Sequence, residues 1–388
     1  MQPLIQSLKV NNLLSFGPDS PAIELGRLNV IIGANGSGKS NLFDVLALLK
    51  HSLGRFYQFF SEYRCPIEEW QWKSTDIDIQ SVTAVINVEG QAWFPLTEKS
   101  PSAFSHLLNL EFHPINGNVA LSIIKNTITI DGKSAEWPSM DYAPNYTNNK
   151  DLHIYLSHQH GFPASPLFDQ IYQLSTCYEK GIFLYDSWVY GRKSPLRDIQ
   201  STNISDQWLF EDGRNLCVVL KKIKNNEESY SRYLDFLKQL YEGVDRFDIV
   251  ELDDLISFRL IEGKRIIRAA RLSDGTLRYL MLMAVLCDPE PPPVVCIEEP
   301  EMGLHPDLIL SVAEALEFAA ERTQVIVTTH SDRLVDYFTH SPEVIQVCEK
   351  HEGQTYIERL DPEELKPWLE KYSLGEYWSR GGIGGNRW

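Results

Sequence analysis

The stretch Gly33-Ala34-Asn35-Gly36-Ser37-Gly38-Lys39-Ser40 constrains this chain more than any other. It follows the apolar run Leu28-Asn29-Val30-Ile31-Ile32 and precedes Asn41-Leu42-Phe43-Asp44-Val45-Leu46-Ala47-Leu48-Leu49-Lys50. That order reads strand, glycine turn, helix. Glycines at such a turn let successive backbone N–H groups curl round an anion, because no Cβ blocks the approach or the positive φ angles. The helix that opens there aims its positive dipole end at the same anion. Gly33, Asn35, Gly36, Ser37, Gly38 and Asn41 are therefore read as a phosphate cradle. Lys39 reaches the β- and γ-phosphates of a nucleotide, and Ser40 holds Mg²⁺ through its hydroxyl. A glycine turn that matches by accident would not also carry the strand before it and the helix after it.

At 388 residues the chain is long enough for a large core and two lobes, and 43% hydrophobic with 23% charged residues is an ordinary globular balance. No apolar run reaches the ~20 residues of a membrane span, and no basic-then-apolar leader opens the chain. Cys65, Cys177, Cys217, Cys287, Cys296 and Cys348 are scattered, with no CxxC pair. That spacing fits neither a zinc site nor a disulfide framework, and it points to the reducing cytoplasm. The net charge of −17 opposes a whole-face grip on DNA, so any nucleic-acid contact would need a local basic patch.

In chain order, Leu4–Val10, Ala22–Leu25 and Leu28–Ile32 read as strands separated by the turn formers Gly17-Pro18-Asp19-Ser20-Pro21. Alternation over Ile77–Phe94, Leu107–Phe112 and Val119–Ile130 predicts an antiparallel β-subdomain beside the nucleotide. Residues 134–205 are rich in Pro, Tyr, Asn and Ser and show no long period. His158 and His160 stand there without a Cys or carboxylate to complete a metal site. Leu209–Val250 is helical in pattern, with Leu216, Val219, Leu220 and Ile223 on one stripe and Tyr233, Leu234, Leu237, Leu240 and Tyr241 on another. Arg259, Lys264, Arg265, Arg268 and Arg271 make the most basic window of an acidic chain. It reads first as an exposed hairpin around Glu262-Gly263, and second as a positive strip facing nucleotide or nucleic acid.

Three further segments carry chemistry. Leu272-Ser273-Asp274-Gly275-Thr276 opens an apolar helix, with Ser273 as cap and donor and Gly275 allowing close approach, a second phosphate-binding helix start. Val294-Val295-Cys296-Ile297-Glu298-Glu299 is a buried parallel strand that presents two carboxylates at its C-terminal end. Glu298 would stand behind Mg²⁺, and Glu299 would face the γ-phosphate and orient or deprotonate the attacking water. Gln324–Ser331 is another buried strand whose tip places His330 within reach of a γ-phosphate. Val344–Cys348 and Thr355–Arg359 look like edge strands, and the glycine-rich end from Leu374 reads as a mobile tail or one that docks on a partner.

Taken in order, GANGSGKSN at Gly33–Asn41, LSDGT at Leu272–Thr276, VVCIEEPEMGLHP at Val294–Pro306 and TTHS at Thr328–Ser331 resemble the compact bacterial ABC-type ATPases of the SMC/Rad50/RecF kind, within the AAA family. The match covers about residues 1–130 and 250–388, and the closing LGEYW…GGNRW also resembles tails of small ATPases of this type. The resemblance implies an α/β P-loop NTPase head with a parallel core sheet, an antiparallel β-subdomain and a helical insertion. The head is expected to be discontinuous, 1–133 and 251–388, with 134–250 as a mostly helical lid. It implies two heads joined head to tail around two ATP and Mg²⁺. Lys39, Ser40, Glu298, Glu299 and His330 of one copy would meet Ser273 and Gly275 of the other. It implies a homodimer or higher homo-oligomer acting in anti-phage defence or DNA repair beside a separate effector such as a nuclease. Two departures stand out: Asp274 where transporters carry glycine, and Glu298-Glu299 where Asp-Glu is usual. A carboxylate near phosphate is unfavourable unless its side chain turns away or caps the helix. The glutamine that senses Mg²⁺ is not placed by its context; Gln71 and Gln80 are both in range.

Alternatives remain. The chain could be a low-turnover ATP-bound scaffold that recruits a partner. It could itself be a nuclease like the overcoming-lysogenization type; the roughly sixty residues after His330 are shorter than a usual domain and carry no aspartate-rich cluster, which ranks that reading last. No sustained heptad pattern predicts a long coiled-coil arm.

Overall fold

A computed structural model of the protein describes residues 2–54, 56, 59–60, 66–73, 82–92, 101–115, 118–137, 166–186, 188, 191–192, 194–240 and 242–385. His158, His160, Gln80, Cys65 and the last three residues lie outside the described residues.

Three sheets organise these residues. An antiparallel sheet contains β1 (Ile5–Asn11), β2 (Ile23–Glu24), β4 (Val82–Ala92), β5 (Ser102–Ile115), β6 (Asn118–Ile130) and β7 (Lys133–Glu136), in the order β2-β1-β4-β5-β6-β7. The central sheet contains β3 (Leu28–Gly33), β8 (Ile182–Tyr185), β13 (Val294–Glu298), β14 (Gln324–Thr329), β15 (Ile345–His351) and β16 (Gln354–Arg359), in the order β16-β15-β3-β14-β13-β8. Its strands run parallel except β16. A small third sheet joins β9 (Gln200–Ser201), β10 (Arg246–Leu252), β11 (Leu255–Glu262) and β12 (Arg265–Arg268).

The inner strands β3 and β14 are buried at every position because both faces of the sheet are covered. Successive side chains point to opposite faces. Val30 and Ile32 therefore enter one core and Ile31 the other, and Val325 and Val327 part from Ile326 in the same way. On Ile31's side lie α1 (Lys39–His51), α2 (Pro166–Gly181) and the antiparallel sheet. On the other lie α3 (Leu216–Lys224), α4 (Glu227–Leu240), α5 (Asp274–Leu286), α6 (Ile309–Ala320) and α7 (Asp332–Tyr337). Leu42, Leu46 and Leu49 of α1 are all fully buried, each contributing about 1.5–3 kcal/mol of transfer free energy. That packing fixes the helix whose N-terminus carries the glycine turn. No helix of the described residues is long and apolar enough to cross a membrane.

The described part of 134–250 contributes to the central sheet and to its core. β8 pairs with β13 in the central sheet, and α3 and α4 bury Leu216, Val219, Leu220, Ile223, Tyr233 and Phe236 in the same core as α5. Three expectations change. The helical pattern assigned up to Val250 ends earlier, since Arg246–Leu252 pairs with β11 as a strand. β15 is not an edge, because it pairs with β3 on one side and β16 on the other. The C-terminal segment docks on its own chain through α8 (Pro362–Leu369) and α9 (Leu374–Ser379). Gly375 N–H donates to Asp336 Oδ1 at 2.7 Å and Gly385 N–H to Glu349 Oε1 at 2.8 Å. The basic window is the expected hairpin, with Glu262 opposite Arg265.

Candidate nucleotide site

The glycine turn joins the C-terminal end of β3 to α1. Gly33 lies opposite Cys348, so close that a Cβ on Gly33 would sit 2.3 Å from the Cys348 carbonyl oxygen. Only glycine lets the two backbones meet there. Burial pushes the Cys348 thiol up to about 11, so it stays protonated beside the loop. Gly38 has φ 113° and caps α1, and a Cβ there would collide with Thr355 Oγ1 at 2.1 Å. Thr355 Oγ1 lies 2.7 Å from both the Ser37 carbonyl and Ser15 Oγ, and Asn41 Nδ2 donates to Ser15 Oγ at 2.6 Å. Ser15 and Thr355 thus brace the turn from outside. Neither was singled out in the sequence, where they stand 340 residues apart.

Lys39 is buried, and its ammonium folds back over the turn, donating to the carbonyls of Gly33 at 2.8 Å and Ala34 at 3.0 Å. Asn35 and Gly36 line the exposed mouth. Ser40 Oγ donates to Glu298 Oε1 at 2.5 Å, reaching from α1 across the end of β14 to the end of β13. A hydroxyl and a carboxylate side by side are hard oxygen donors, the set that suits Mg²⁺ when phosphates and water complete its octahedron.

Glu299 follows at φ 44°, a left-handed conformation that costs a non-glycine residue on the order of 1–2 kcal/mol. Its surroundings hold it: its N–H donates to the Thr328 carbonyl at 3.0 Å, and its own carbonyl accepts from Arg278 Nη2 at 2.8 Å. The turn swings the carboxylate towards His330, whose Nε2 lies 3.5 Å from Glu299 Oε1. Glu301 closes the loop from below. One oxygen, Oε1, accepts from the buried Thr329 hydroxyl at 2.6 Å and from the His330 N–H at 2.9 Å. Burial holds the Glu301 carboxyl above the usual range, and the nearby Glu299 charge adds to that. Glu301 is a site residue that the sequence reading missed, although it lies inside the quoted motif.

At the start of α5, Ser273 is exposed and accepts from Thr276 N–H at 3.1 Å. A Cβ on Gly275 would lie 2.8 Å from the Gly303 carbonyl, so the helix start packs directly on the loop after Glu299. Asp274 turns aside: Arg197 Nη2 donates to its Oδ1 at 2.5 Å, and this bond holds its carboxyl below the usual range. Lys39, Ser40, Glu298, Glu299 and His330 therefore share one end of the central sheet. Ser273 and Gly275 belong to a helix tied to that end through Arg278. Gln71 is bridged to Leu13, two residues before Ser15.

The fold is that of solved SMC heads. The head bound to the C-winged helix domain of ScpA matches with TM-score 0.58 and 15% identity over 93% of this chain and 99% of that one. The head with an extended coiled coil bound to the C-terminal domain of ScpA, derived from Pyrococcus furiosus, matches with 0.55 and 14% over 96% and 99%. The head with a coiled coil and joint from Pyrococcus yayanosii matches with 0.53 and 12% over 96% and 99%. At these identities the likeness is one of fold. No curated protein sequence matches the chain. The family described as "AAA domain, putative AbiEii toxin, Type IV TA system" matches residues 28–94 and 203–336, segments that hold the glycine turn, Ser273, Glu298, Glu299 and His330. With more than half of its length matched, and on an SMC-head fold of mixed parallel and antiparallel sheets, the chain belongs to that AAA-domain family.

Proposed function

We propose that the protein binds and hydrolyses ATP at this site and uses the nucleotide to join two copies head to tail. The observation that carries the reading is the Ser40–Glu298 contact at 2.5 Å with Glu299 and His330 on the adjoining strand ends. It supports a single line of groups running from the phosphate cradle to a general base.

Gly33, Asn35, Gly36, Ser37, Gly38 and Asn41 wrap the phosphates with backbone and side-chain donors. Lys39 exchanges the two carbonyls it now binds for phosphate oxygens. Mg²⁺, held by Ser40 and Glu298, would neutralise phosphate charge when bound. Glu299 takes the proton of the attacking water, and its left-handed backbone aims the carboxylate outward from the strand end. His330, fixed by its backbone bond to Glu301, faces the same point and donates to the charge that develops there. Ser273 and Gly275 of the second copy supply the exposed helix start that completes the site, so neither copy is sufficient alone.

Such a dimer is an ATP-driven switch. Two of the matching SMC heads carry a bound ScpA domain, which supports partner binding as a use for this fold. We assign the partner here to a separate effector such as a nuclease, in anti-phage defence or DNA repair, with the hairpin arginines as the patch for any nucleic acid. The thiols of Cys177, Cys217, Cys287, Cys296 and Cys348 are unpaired, which supports a cytoplasmic setting.

Light scattering on Glu299→Gln tests the reading. Mass should double with ATP and Mg²⁺ and remain monomeric without them. Phosphate release by the wild type should fall at least about a hundredfold in this variant. A monomer under every condition refutes the head-to-tail dimer, and a rate indifferent to Glu299 leaves the scaffold reading in its place.

A further inference from the structure

The first turn of α5 carries a conflict of charge. The opening N–H groups of a helix attract an anion. Asp274, the first residue after the Ser273 cap, brings an anion of its own to that pole. Left to itself, its carboxylate would fold onto the free N–H groups and occupy the place where a phosphate should dock.

The structure holds it elsewhere. Asp274 Oδ1 receives Arg197 Nη2 at 2.5 Å and the Gly191 N–H at 3.0 Å. Arg197 is itself immobilised. Its Nε donates to the Gly191 carbonyl at 2.9 Å and its Nη1 to the Leu272 carbonyl at 2.5 Å, and its side chain is only 15% exposed. The planar guanidinium is used on several sides at once, which a lysine could not do. Ser273, next to the restrained acid, remains exposed.

We propose that Arg197 is a positioning residue of the two-chain nucleotide site: it holds the Asp274 carboxylate aside and cancels its charge, leaving Ser273 and the first N–H groups of α5 to receive the γ-phosphate of a nucleotide on the other copy. The inference rests on the head-to-tail reading above. It explains how this chain accommodates an acid next to the Ser273 cap. It also makes Arg197 necessary because of Asp274 rather than because of any contact of its own with phosphate.

That difference is testable by rescue. ATP is titrated against the Glu299→Gln protein, against the same protein with Arg197→Gln, and against that double variant with Asp274→Asn added, with light scattering as the readout. Arg197→Gln should raise the ATP needed for half-maximal dimer by about tenfold, and removing the charge at 274 should return it to within about threefold of the parent. A loop that merely needs Arg197 to fold, or an arginine that touches the phosphate itself, would give a loss that Asp274→Asn does not repair, and either result overturns the proposal. Unchanged dimerisation of the Arg197→Gln variant overturns it as well and leaves the dimer intact. Failure of the Glu299→Gln parent to dimerise is a separate outcome: it refutes the head-to-tail reading and, with it, this one.

Discussion

Glu301 offers a sharp test of the site's internal wiring. One carboxylate oxygen serves two donors, the Thr329 hydroxyl at 2.6 Å and the His330 N–H at 2.9 Å. Thr329 is fully buried, so a lost acceptor there is not replaced by water. Glu301→Ala strands both donors, at about 1–3 kcal/mol each, or about 2–6 kcal/mol together. Glu301→Gln keeps the accepting oxygen and should cost less than about 1 kcal/mol at acid pH. At neutral pH the order against wild type reverses. Burial raises the folded carboxyl above its unfolded value of 4.5. A raised acid binds more protons folded than unfolded, so its favourable contribution is complete below the unfolded pKa and is lost as pH rises through the folded one. Glutamine does not titrate and keeps its contribution. The midpoint of denaturant unfolding should therefore rise for Glu301→Gln relative to wild type as pH goes from 4.5 towards neutrality, while Glu301→Ala stays below both. A gap that stays flat with pH refutes the burial argument. A glutamine variant as damaged as the alanine variant refutes the assignment of the two hydrogen bonds.

Two other variants probe contacts around the turn. A side chain on Gly385, which has φ 66° and would place its Cβ 3.3 Å from the Cα of Gly33, should press on the glycine turn. Gly385→Val is expected to weaken binding of a fluorescent ATP analogue about fivefold, equivalent to about 1 kcal/mol of strain, and an unchanged affinity would show that the tail does not touch nucleotide binding. Arg278→Met removes the donor that holds the Glu299 carbonyl at 2.8 Å. The turnover number should drop about tenfold with KM little changed, the mark of a group needed after binding, whereas a rise in KM alone would place Arg278 in substrate binding instead.

The readable parts of this chain are those whose physics is local. The glycine turn, the apolar strand ending in Glu298, the hairpin at Glu262-Gly263 and the capped start of α5 each declare themselves within about a dozen residues. The unread parts depend on distant partners. Ile182–Tyr185 is a short, wholly apolar run with no period to mark it as strand or helix, and only pairing with β13 makes it the edge of the central sheet. Arg197 lies in a stretch with no pattern at all, 77 residues from the acid it restrains. The left-handed backbone of Glu299 has no sequence sign, because the strain is borne by bonds to Thr328 and Arg278. The tail reads as mobile from its glycines, yet Gly382, Gly384 and Gly385 are places where a Cβ would strike Tyr377, Glu349 and Val347, so their smallness serves close docking.

The same helix sets both halves of the proposed composite site. Ser273 caps α5, and Arg278 stands five residues on, about 7.5 Å along the axis. At one end the helix presents the exposed Ser273 cap, the part proposed above to meet a second copy. One and a half turns later it grips the carbonyl of Glu299, the residue proposed above as the general base. Gly275 leaves no room between that helix start and the loop after Glu299, where Gly303 lies against it. A rigid helix cannot shift one of these points without the other. In the proposed pair, a movement of Glu299 when a phosphate is gained or lost would be passed through these contacts towards Ser273. In a head-to-tail pair this makes the two sites mechanically interdependent through two symmetry-related copies of a single short helix. Such a pair needs no long coiled-coil arm to communicate.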